Sequence, residues 1–92
     1  MIDLLKVPPK FPLGRLLATP GAIALGINFA PYINRHMRGD WGDVDTEDWE
    51  RNDASIEEGS RIVSAYQTAA GRIWIITEAD RAVTTVLLPS EY

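Results

Sequence analysis

The chain contains no cysteine, which excludes disulfides, thiolate metal sites and cysteine nucleophiles. It has a single histidine, His36, so any imidazole acid–base chemistry must run through that residue. Glycines spaced to cradle phosphates or a dinucleotide are absent too, which argues against a nucleotide enzyme. Long apolar runs are also missing. The uncharged stretch 16–34 follows Lys6, Lys10 and Arg15 and superficially resembles a secretory leader, but Pro20, Gly21, Gly26 and Pro31 interrupt it. Crossing a bilayer takes about 20 predominantly apolar residues. The expectation is a cytoplasmic protein that does not enter a membrane and carries no cofactor.

Basic residues are scarce in one place. Residues 40–58 hold nine of the thirteen acidic side chains and one basic residue, Arg51. The first 38 residues carry five basic side chains against Asp3, and residues 59–92 balance three against three. The net charge of −4 therefore hides a local block of −8. Such a block steers a basic partner or keeps a helix solvated, and a sequence pI of about 4.8 disfavours direct nucleic-acid binding. With 46% hydrophobic residues, the 92-residue chain has the composition of one folded domain.

The expected architecture is α+β, with short N-terminal helices packed on a C-terminal three-stranded antiparallel meander. Residues 1–13, with Pro8, Pro9 and Pro12, read as an extended arm whose Leu4, Leu5, Val7 and Phe11 pack along the domain. Thr19-Pro20 starts a helix over about 20–26, and a second runs from 30 or 31 to 38. Asp45 or Thr46 caps a third over about 46–58, which Gly59 ends. Residues 61–66, 72–77 and 83–88 alternate as strands. In the middle strand Ile73 and Ile75 share one face while Trp74 and Ile76 share the other, so the sheet needs a second cover: the arm, the Tyr92 tail or another chain.

No catalytic constellation stands out. His36, at a helix end with Arg35 and Arg38, reads as a dipole partner or surface residue. Asp40, Asp43, Asp45 and Glu47 do not follow calcium-loop spacing, so no metal is expected. Glu78, Asp80, Arg81 and Thr84 form a polar turn site. They serve either to satisfy the turn's amides and pair a guanidinium with a carboxylate, or to face a ligand beside Trp41 and Trp74.

The strings Phe11-Pro12-Leu13-Gly14, Ala18-Thr19-Pro20-Gly21-Ala22, Arg38-Gly39-Asp40-Trp41-Gly42, 74–81 and 84–89 together resemble a family of small bacterial proteins of unknown function. That family is associated with plasmids and other mobile elements, and some members carry names borrowed from restriction–modification subunits. The resemblance implies a mobile-element setting and supplies no established activity. The resulting expectation is a non-enzymatic protein–protein interaction module. Asp43, Asp45, Glu47, Asp48 and Glu50 recruit a basic protein partner, and Trp41, whose alternative is burial over the sheet, or Trp49 anchors it. Two alternatives stay open: a homo-oligomeric accessory protein that dimerises through its second sheet face, and a toxin-like ribonuclease using His36 with Arg81 or Asp80.

Overall fold

A computed structural model describes residues 9–92. Of the arm expected over 1–13, residues 1–8 lie outside the described residues, while Phe11 is buried in the core. Among the described residues the architecture is α+β, with three α-helices and a four-stranded mixed sheet.

The expected meander is present as β2 (Ile62–Thr68), β3 (Gly71–Thr77) and β4 (Val83–Leu87), antiparallel throughout. A fourth strand, β1 (Arg15–Ala18), corrects the three-stranded sheet. It pairs in parallel with β4, giving the order β1-β4-β3-β2. Four residues are too few to show a period of two, and β1 is stabilised by a partner near the other end of the chain, so no local pattern announces it.

Helix α1 (Pro20–Ala24) starts where Thr19 Oγ1 accepts from the Ala22 amide at 3.2 Å, and it stops two residues earlier than expected. Helix α2 (Ala30–Met37) has proline in its first turn and Arg35 and His36 in its last. Helix α3 (Thr46–Glu58) matches its expected span. The Asp45 carboxylate accepts from the Asp48 amide at 2.8 Å, and the helix closes at Gly59. Among the described residues no helix is long and apolar enough to cross a membrane.

One face of the sheet carries Ile62, Ser64 and Tyr66 beside Thr77, Ile75 and Ile73, with Thr84 and Val86 next in register. Ala22 and the partly buried Phe29, Tyr32 and Ile33 close over its apolar part. Ile73 and Ile75 are fully buried, each worth roughly 1.5–3 kcal/mol relative to exposure. A second cluster gathers Phe11, Trp41 and Ile62 with Val44, Trp49 and Ile56. On the opposite face the Tyr92 ring packs against Trp74 at 5.2 Å, so the tail supplies part of the second cover.

The two edges of the sheet differ. Along β2, the Asn52 side chain donates to Val63 O at 2.8 Å and accepts from Val63 N at 3.2 Å, as a neighbouring strand would. Residues 41–43 continue this edge, with Ala65 N donating to Trp41 O and Asp43 N donating to Ala65 O. Gly42 is required there, since its φ is 73° and an added Cβ would lie 2.1 Å from Ala65 O. Strand β1 has no such cover among the described residues.

Candidate functional site

Helix α3 presents the acidic block to solvent. Glu47, Glu50, Asp53, Glu57 and Glu58 are exposed, and of its thirteen residues only Asn52 and Ser55 are buried. Carboxylates in the first turn, Glu47 and Asp48, lie where unpaired amides favour negative charge. Arg51 is held within the block by Asp48 at 2.8 Å and Glu47 at 3.4 Å. These pairs are exposed and contribute little to stability, so the helix keeps a surplus of negative charge.

The aromatic residues expected as anchors are placed differently. Trp41 has 0% exposure and donates its indole N–H to Asp53 Oδ1 at 2.9 Å. It fills the second core cluster, which corrects the reading of it as a surface anchor. Trp49 is half-buried against the same cluster. The aromatic surface near the acidic residues belongs instead to Trp74 and Tyr92. They border a cleft of about 560 Å³ between the start of α3 and the outer sheet face. Asp43, Asp45 and Asp48 line this cleft together with Arg51; Val63 and Ala65 lie on the sheet side, and Arg61 and Arg72 line it as well.

The arginines of the cleft are already engaged. Arg61 pairs with Glu78 at 2.9 Å and donates to the Tyr92 hydroxyl at 2.8 Å, while Arg72 donates to Asp43 O at 3.1 Å. The hydrogen bond from Arg61 to Glu78 raises the guanidinium pKa further. No side-chain hydrogen bond is made by the Asp43 carboxylate among the described residues. A guest entering the cleft therefore meets the Asp43 carboxylate and an indole, a combination suited to a cationic or apolar side chain. The sequence signal for this site was the two-sided apolar character of β3, which set Trp74 on the second face. The proximity of that face to Asp43–Asp48 was not visible in it.

The turn residues Glu78, Asp80, Arg81 and Thr84 do not converge on a common opening. Asp80 accepts from the Ala82 amide at 3.0 Å, satisfying the turn. Glu78 pairs with Arg61 across β2 and β3. Among the described residues Arg81 pairs with no carboxylate. It donates to Ser60 O at 2.6 Å, Ser55 O at 2.7 Å and Glu78 O at 3.2 Å, and its guanidinium lies 5.7 Å from the centre of the Phe11 ring. A cation on Ser55 O, in the last turn of α3, offsets the negative end of that helix and compensates the strain of Arg81's left-handed φ of 60°. Thr84 is fully buried.

His36 is neither at the surface nor a free dipole partner. It has 0% exposure. Thr84 Oγ1 donates to Leu13 O at 2.7 Å and so accepts from Thr77, which stands 2.7 Å away. Thr77 in turn accepts from His36 Nε2 at 2.9 Å, leaving Nδ1 to accept from the Ser64 hydroxyl at 2.5 Å. This order of donors selects the neutral Nε2–H tautomer. Burial pushes the pKa down to about 3. A Ser–His contact of this kind resembles half of a hydrolase triad, but the rings of Phe11 and Trp41 pack against the imidazole, which has no exposed surface to offer a substrate. The signal for its burial was its spacing from Tyr32 and Ile33, which places it on the same helix face. Among the described residues no three His, Asp or Glu side chains converge as metal ligands.

No protein-family model, curated protein or solved structure matches this chain.

Proposed function

We propose that this protein is a small acidic protein–protein interaction module, without enzymatic activity, of a bacterial mobile element. Its partner is a protein with a basic surface, such as a nucleic-acid-handling protein whose DNA-binding groove the acidic helix imitates. The observation that carries the proposal is the junction of the solvent-facing acidic helix with a cleft that has a tryptophan in its wall. Exposed carboxylates steer the partner, and a cationic or apolar side chain then docks beside Trp74. The mobile-element setting rests on the resemblance of the Gly-Asp-Trp-Gly and Thr-Glu-Ala-Asp-Arg strings.

The ribonuclease alternative is disfavoured by the same geometry. A closed, neutral imidazole cannot reach a phosphate, and the Arg81 guanidinium is held by backbone carbonyls.

Two variants separate steering from docking. Asp43→Lys/Glu47→Lys/Glu50→Lys alters three exposed positions, and capture from nuclease-treated host lysate should fall with a flatter salt dependence. Trp74→Ala should weaken capture while leaving the salt dependence intact. Capture by both variants equal to that of the parent protein at every salt concentration would refute the proposal.

A further inference from the structure

The open edge of β1 borders a groove of about 520 Å³ along α2, with Leu16, Pro31, Ile33 and Met37 among its lining residues. Arg15 N donates to Ala82 O at 2.9 Å and Thr19 N to Val86 O at 3.0 Å. In a parallel ladder alternate residues face the same neighbour, so the N–H and C=O groups of Leu16 and Ala18 point away from β4 and meet no partner among the described residues. Leu16 is 50% exposed and Leu17 41%. At the opposite edge the fold covers the outward groups of Val63 and Ala65 with Asn52 and residues 41–43.

We propose that β1 is a strand-addition site that takes an extended, acidic–apolar peptide segment of a partner protein. Exposed backbone donors and acceptors beside an apolar groove call for a strand, since a helix has no free main-chain groups along its length to match them. The register supplies the side-chain pattern. Leu16 shares the groove face with Thr84, while Arg15 and Leu17 project from the other face. An added strand therefore sets apolar side chains into the groove at alternate positions and presents the intervening ones to Arg15. Charge complementarity makes those intervening residues acidic. The exposed Arg15 carries this complementarity, since residues 9–39 hold no carboxylate and Arg35 is already paired with Asp40. This surface is distinct from the cleft at Trp74, so the two proposals stand or fall separately.

The test is an NMR titration of the isotope-labelled full-length protein with a short blocked peptide alternating glutamate and valine, and with its lysine–valine counterpart. The expected result is shifts centred on Leu16, Ala18, Ile33 and Met37, slowed amide exchange at Leu16 and Ala18, and several-fold weaker binding of the lysine peptide. Leu16→Pro removes one outward N–H and no bond to β4, a position where an edge strand tolerates proline; it should abolish binding with the spectrum still dispersed. Met37→Glu, which sets a like charge in the groove, should weaken binding independently of any effect on the strand. Shifts confined to the Trp74 cleft, or no shifts, would overturn the proposal. So would Leu16 and Ala18 amides already protected before peptide is added. Protection independent of protein concentration would assign the edge to another part of this chain, and concentration-dependent protection to a second copy.

Discussion

His36 accounts for much of what acid should do to this protein. Its unfolded pKa of 6.5 falls to about 3 in the folded state because burial penalises the charged imidazole. Between those values the unfolded chain binds the extra proton and the folded protein does not. Stability is therefore full above about pH 6.5 and declines as pH falls towards 3, by up to about 1.4 kcal/mol per pH unit. His36→Gln retains an amide that can bond Ser64 or Thr77 and removes the titration. Denaturation free energies near pH 7 and near pH 5 should then converge in the variant and differ in the parent protein; an equal difference in both would assign the acid sensitivity elsewhere. The helix-end position and basic neighbours of His36 suggested a surface role. The hydroxyls that hold it come from β2 and β3, and nothing local to residues 30–38 reveals their arrival.

Helix α3 is the element most legible in the sequence, because its cap, acidic first turn and terminal glycine all lie within it. Its packing was less legible. Asn52 reads as an ordinary polar helix residue, yet it is 5% exposed and completes the edge of β2 with two hydrogen bonds. Asn52→Ala would leave Val63 N and O unpaired at a half-buried edge, at a cost of about 1–3 kcal/mol. Urea midpoints measure the loss, and slowed growth of light scattering in the parent relative to the variant would show that the amide also guards the edge. A loss within about 0.5 kcal/mol, typical of surface substitutions, would show that water replaces the amide. Strand β1 is the counterpart element. Among the described residues its four residues pair with β4 alone, so a short segment that reads as the approach to a helix becomes an edge strand of the sheet.

Across the whole molecule, the two ends of the described chain interlock. Strand β1 pairs with β4, Thr19 donates to Glu91 Oε1 at 2.6 Å, and Arg81 reaches both Phe11 and the end of α3. The Thr19 hydroxyl holds the Glu91 carboxyl below its usual range. Neither the helices nor the meander has a core without the other, since Ala22 and Tyr66 belong to one cluster and Trp49, Ile56 and Ile62 to the second. Unfolding should accordingly be two-state. Urea transitions followed by tryptophan fluorescence and by far-ultraviolet circular dichroism should superimpose; an earlier fluorescence transition would show that the Trp41 cluster opens before the meander.

The sequence by itself determined the α+β class, the meander, the caps of α1 and α3 and the segregation of acidic charge, because periodicity, capping and charge are local properties of the chain. Tertiary structure alone decided that Trp41 is core, that Trp74 and Tyr92 border the cleft, that Arg81 caps a helix and that β1 joins the sheet. Each of these depends on contacts between residues distant in sequence, whose free energy appears only when the chain has closed on itself. Charge shows where this protein is acidic; packing selects which of its aromatic side chains accompany that charge at the surface.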